Sequence, residues 1–198
     1  MLEWHAFGVH WRVSLLFPAM LTALLLWKPD SMAIPCVLAS LIHEGGHLLA
    51  MMLVGVPPQD FFLGIFGAQM HIGNGSVGYR QNILISLSGP LVNLLSAIIL
   101  LLCQCHVAAA VHMLLAGVNL LPAMGLDGGE ILRNCMLLLG FDRKVLFIMR
   151  MASVLTLLPI AVVGFYILFF GVGNGSLLIL CAYLVILIFS AEKNKKTS

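Results

Sequence analysis

Charge is what this sequence has least of. Only 9% of its 198 residues are Asp, Glu, Lys or Arg, against roughly 25% in ordinary soluble domains. Eighteen charges on so long a chain exclude a soluble globular enzyme, a nucleic-acid binder and a disordered scaffold. The formal net charge of +2 is too slight to point to an acidic partner. Cysteine is also sparse: Cys36, Cys103, Cys105, Cys135 and Cys181 form no CxxC pair and no disulfide framework. They read as small apolar fillers. Nor is there a cleavable leader, because the first apolar stretch follows Glu3, His5, His10 and Arg12 and has no small-residue cleavage site. It reads as a retained helix.

What the chain has in abundance is apolar sequence, 61% of its residues, gathered into blocks. A helix crossing a hydrocarbon core of about 30 Å needs about 20 such residues. Six blocks qualify or come close: Val13 to Trp27, Met32 to Val54, Ile83 to Leu102, Val107 to Leu121, Val145 to Phe170 and Leu177 to Ser190. The expected fold is therefore an all-α polytopic membrane protein of about six transmembrane helices, a single domain over 1–198. Between the second and third spans, Gln59 to Arg80 mixes aromatics with Gly64, Gly67, Gly73 and Gly75, too broken for a spanning helix. Asn74-Gly75 is a hairpin turn signal. That interval reads as a short β-hairpin or re-entrant loop, which lipid cannot satisfy and other helices must shelter. It either plugs a cavity or pairs with an unwound strand by β-addition.

Basic residues set the orientation. With both termini cytoplasmic, Arg12, Arg80, Arg133, Arg143, Lys144, Arg150, Lys193, Lys195 and Lys196 share that side and Lys28 alone lies opposite.

Ionisable groups inside a span are costly and mark function by default. The second span holds His43-Glu44-Gly45-Gly46-His47. Positions i and i+4 share a helix face, so two imidazoles can meet one ion while Glu44, about 100° round the helix, reaches a water beside it. This is the HExxH logic of a zinc hydrolase. A catalytic site wants three protein ligands. Asp127 lies in a helix-breaking stretch, Asn119 to Glu130, at the membrane edge. By spacing alone it is equally a third ligand or a cap for the helix that follows. Asn119 is either an amide donor to a scissile carbonyl or an interhelical hydrogen-bond partner. Asn93 suggests packing or contact with substrate, Gly89-Pro90 a kink, and Gly45-Gly46 close packing or substrate approach. His5, His10, His71, His106 and His112 have no ligand-like spacing and read as interfacial or structural.

HExxH in one span, followed by Asn119, Pro122, Leu126, Asp127, Gly128 and Gly129 in an Asn-x-x-Pro-x-x-x-Leu-Asp-Gly-Gly pattern, resembles the site-2 protease family of intramembrane zinc metalloproteases. Ser88-Gly89-Pro90-Leu91-Val92-Asn93 is similar to the family's Gly-Pro-x-x-Asn segment. Val118 to Pro122 and the six-span layout look most like the sporulation branch, whose members process pro-sigma factors. That branch usually carries a C-terminal nucleotide-sensing CBS domain, and the sequence up to Ser198 contains none. The resemblance implies one Zn2+ held by His43, His47 and Asp127, with Glu44 as general base. Its implied partner is a membrane protein cut in or beside a transmembrane segment, with regulatory membrane proteins and no nucleic acid. By the inferred topology the second and fourth spans both descend to the cytoplasmic side, so the expected active site lies nearer that side than the midplane. The alternative from a different class is a membrane metal-ion transporter that uses the same His, Glu and Asp side chains as a transit site.

Overall fold

Helix formation in this chain follows its apolar blocks. The computed structural model describes residues 2–6, 9–14, 33–64, 67–71, 77–170, 181–182 and 185–186. Five α-helices lie among them: α1 (Ala33–Leu53), α2 (Tyr79–Leu102), α3 (His106–Asn119), α4 (Asp127–Leu138) and α5 (Val145–Phe170). Among the described residues, three helical stretches are long and apolar enough to cross a membrane, namely Ala33–Leu53, Tyr79–Leu102 and Asp142–Phe170. They coincide with the second, third and fifth expected spans. The fourth is α3, whose 14 residues reach only ~21 Å at 1.5 Å per residue, short of a full hydrocarbon core. The expected first and sixth spans fall almost wholly outside the described residues.

The chain divides into two compact units, 1–117 and 118–198. In the first, four strands form one sheet in the order β1-β2-β3-β4: β1 (Leu2–Ala6), β2 (Val9–Val13), β3 (Asp60–Gly64) and β4 (Gly67–His71). β1 pairs antiparallel with β2, β2 parallel with β3, and β3 antiparallel with β4. A parallel pair needs a crossover connection, and α1 lies within it. The described residues are mostly helical, as expected, and β3 and β4 pair within the interval read as a short hairpin; the correction is that β1 and β2 extend this pair into a four-stranded sheet. The expected turn is also displaced: strands β3 and β4 close at Gly64↔Gly67, not at Asn74-Gly75, which lies outside the described residues. A charged knot ties the middle strands, with His10 Nδ1 3.1 Å and Arg12 3.7 Å from the Asp60 carboxylate.

The helices of this unit wear their apolar side chains outward. Leu38, Leu41 and Leu49 of α1 and Leu84, Leu91, Leu95 and Ile98 of α2 are all exposed, while the buried positions of α2 are Gly89, Pro90, Asn93 and Ala97. That inversion is what a lipid solvent selects, because tails are as apolar as leucine and only small or polar residues gain by facing another helix. Ser40 of α1, and in the second unit Thr156 of α5, are satisfied within their own helices, donating to the carbonyls of Cys36 and Ala152, four residues back.

In the second unit, Pro122 to Leu126 bridges two helices as irregular backbone. Ser153 of α5 holds it, accepting from the Met124 N–H at 2.9 Å while donating to the Met149 carbonyl at 2.8 Å. Met124 packs with Val145 and Met149, and Ala123 with Leu126. Helix α4 starts so close beneath this loop that side chains are excluded. A Cβ at Gly128 would collide with the Leu120 and Leu121 carbonyl oxygens, and one at Gly129 with that of Ala123.

Gly128→Ala is expected to destabilise the protein by about 1–3 kcal/mol through this overpacking. Gly117→Ala, where nothing lies within 4 Å of an added Cβ, should stabilise it by roughly 0.5–1 kcal/mol. Denaturation midpoints of the purified protein in micelles check both.

Candidate metal centre

Four residues at helical spacing make one buried stripe on α1: Ala39, His43, His47 and Met51, joined by Gly46. His43 is 6% exposed and His47 8%. Two imidazoles in so dry a place need partners on every nitrogen, since a buried polar group without one is costly. The structure supplies them from α2.

The His43 and His47 Nε2 atoms face each other at 3.1 Å, their rings edge to face with centroids 4.7 Å apart. His47 Nδ1 donates to the Ile85 carbonyl at 2.8 Å, an oxygen that also accepts from the Ser88 hydroxyl at 2.6 Å. This leaves the His47 Nε2 lone pair aimed at His43. Two nitrogens each about 2.0–2.1 Å from one tetrahedral ion would stand ~3.3 Å apart, so the pair already has the spacing of two zinc ligands. On donor chemistry and geometry the two histidines fit the metal.

Glycine is what lets α2 come this near. A Cβ at Gly46 would lie 3.0 Å from the Ser88 carbonyl oxygen and 3.1 Å from Gly89 Cα. One at Gly89 would collide with His47 Nε2 and stand 2.9 Å from His43 Cε1. Of the Gly45-Gly46 pair, therefore, Gly46 provides close packing, whereas Gly45 faces open space.

Beyond the first contact lies a second. The Asn93 amide is within 3.2 Å of His43 Nδ1 on one side and 3.0 Å of His112 Nδ1 on the other. Both residues are buried, Asn93 at 0% and His112 at 3% exposure. A chain of polar side chains thus runs from α1 through α2 to α3. The sequence reading left His112 as interfacial or structural and Asn93 as a packing or substrate-facing residue. The signal for both was that each is a polar residue in an otherwise apolar span.

Glu44 is half-buried on α1, one position round from the histidine stripe. Asn119 closes α3 and is half-buried. Asp127 belongs to the second unit as the first residue of α4. The cap position before it is held by Leu126, with no side-chain cap bond, so Asp127 stands in the first turn, where a carboxylate suits the helix dipole.

In fold, the chain resembles a site-2 protease. The Site-2 Protease from Methanocaldococcus jannaschii superposes with a TM-score of 0.61, covering 97% of this chain and 94% of its own at 20% sequence identity. No protein-family model matches the sequence, and no curated protein does. The likeness of fold thus extends over nearly the whole chain, whereas sequence likeness is low.

Gly89→Ala should lower zinc affinity about 10- to 100-fold, the range seen when ligand orientation is disturbed, because its Cβ occupies the space of the His47 ring. Gly45→Ala should leave affinity unchanged. Competition with a chromogenic chelator measures both.

Proposed function

We propose that this protein is an intramembrane zinc endopeptidase that hydrolyses a peptide bond in or beside a transmembrane segment of another protein. The observation that carries the proposal is the pair of opposed Nε2 atoms on an HExxH helix in a chain with a site-2 protease fold. His43, His47 and Asp127 are the proposed ligands. Each offers one ligand atom, and two imidazoles with one carboxylate are the number and kind a catalytic zinc site takes. The motif resemblance around Leu126-Asp127-Gly128 supports the same set.

When bound, zinc supplies a Lewis acid that acidifies water and polarises the carbonyl to be cut. Glu44, half-buried beside the histidine stripe, takes a proton from the attacking water and delivers it to the departing amine. The Asn119 amide donates to the carbonyl oxygen as negative charge develops there. Exclusion of bulk water by the apolar helix surfaces strengthens each of these interactions.

A peptide bond inside a helix is masked by its own hydrogen bonds, so the substrate segment must unwind before it is cut, and helix-breaking residues near the cleavage point favour it. An unwound strand can add to an outer strand of the sheet, β1 or β4, through main-chain hydrogen bonds. The distribution of basic residues supports a cytoplasmic location for both termini and an active site on that side. Resemblance around Val118 to Pro122 supports membrane-associated pro-sigma factors as one substrate class.

Glu44→Gln should reduce cleavage of a co-reconstituted single-span substrate by at least 100-fold, within the range of a lost general base, with zinc content unchanged. Asp127→Asn should lower zinc stoichiometry. Full cleavage by Glu44→Gln removes the base. Zinc flux into proteoliposomes with no cleavage by the unaltered protein would replace the protease with a transporter.

A further inference from the structure

The Asn93 amide has one donor end and one acceptor end, and it faces an imidazole nitrogen with each. Its two orientations, related by a half-turn about χ2, therefore dictate two different proton arrangements across three helices. With the NH2 group toward His43, His43 Nδ1 must accept. The His43 proton then sits on Nε2 and points at His47 Nε2, 3.1 Å away, in the place an ion would take. His112 in turn carries its proton on Nδ1 and donates to the amide oxygen. With the amide oxygen toward His43, every assignment reverses. His43 Nδ1 carries the proton and donates to Asn93. Neither of the facing Nε2 atoms then carries a proton, because His47 Nδ1 already gives its proton to the Ile85 carbonyl. The amide NH2 then donates to a bare His112 Nδ1, which leaves the His112 proton on Nε2.

Only the second arrangement, a half-turn of the amide from the one in the structure, where Nδ2 faces His43 and Oδ1 faces His112, offers two imidazole lone pairs to one cation. We infer that Asn93 is a positioning residue that selects the metal-binding tautomer of His43, and that His112, two links from the ion, fixes the orientation of Asn93. This rests on the metal centre proposed above. No proton enters or leaves in the exchange, since His43 and His112 each keep one and only the nitrogen that carries it changes. The arrangement accounts for a burial that is otherwise costly: a histidine and an asparagine closed away from solvent on apolar helices.

Substitution separates this role from simple packing, because aspartate accepts at both ends and needs no orienting partner. Asn93→Leu should weaken zinc binding about 10- to 100-fold, as for other outer-shell partners, and His112→Leu about 10-fold, at the lower end of that range. Asn93→Asp should bind zinc at least as tightly as the unaltered protein. The decisive variant is the double, Asn93→Asp with His112→Leu, which should recover the affinity lost in His112→Leu alone. In the zinc-loaded, unaltered protein, 15N-histidine spectra should show His112 protonated on Nε2, a measurement that needs no variant to fold. His112 protonated on Nδ1, or a His112→Leu protein with undiminished zinc affinity, overturns the inference, as does a double variant no tighter than His112→Leu. Zinc bound equally well after His43→Ala overturns the metal centre itself. Zinc that depends on His43 but not on Asn93 or His112 overturns only the positioning role.

Discussion

The close approach of α1 and α2 at Gly46 and Gly89 is the constraint on which the site depends. In lipid, helices gain nothing by hiding leucines from the surroundings, and they associate through van der Waals contact and polar bonds between small or hydrogen-bonding residues. Two glycines facing each other bring the backbones near enough for the His47 ring to rest against the α2 main chain and to use the Ile85 carbonyl as an anchor. Side chains at either position would part the helices and leave both imidazoles without their partners. The packing and the chemistry are thus the same contact seen from two sides.

How far this was legible from sequence depended on whether the geometry is local. His43 and His47 share a face because a helix turns 3.6 residues at a time, and nothing distant is needed to know it. The irregular stretch before α4 was equally plain from Pro122 and its glycines. Asn93 and His112 were not legible as a pair, since 19 residues separate them and they meet only across two different helices. The Ile85 carbonyl and the Ser153 hydroxyl that holds Met124 have no sequence signature at all. A backbone oxygen is anonymous, and a serine in an apolar helix is ordinary.

The sheet is a different case, because part of its signal was present. Glu3 and His5, then His10 and Arg12, are polar residues at every second position, the period of a strand, and β1 and β2 run through them. The length of apolar sequence beyond Val13 led the start of the chain to be read as a helix with a mixed leader. The pairing of β2 with β3 also could not be foreseen, since it joins residues about 50 apart across the whole of α1.

Helix α3 shows how cost and function coincide. Fourteen residues make a short span, and its buried positions are Ala109, His112 and Ala116, two of which contribute almost no apolar area. What it adds is an imidazole on the far side of Asn93. Each unmatched buried donor or acceptor costs about 1–3 kcal/mol, so a polar chain through three apolar helices is tolerable only if every link is made. Removing any one leaves its neighbours unpaired as well. Such a chain is therefore held in one of a few complete arrangements rather than a continuum, and a cation between His43 and His47 is compatible with only one of them.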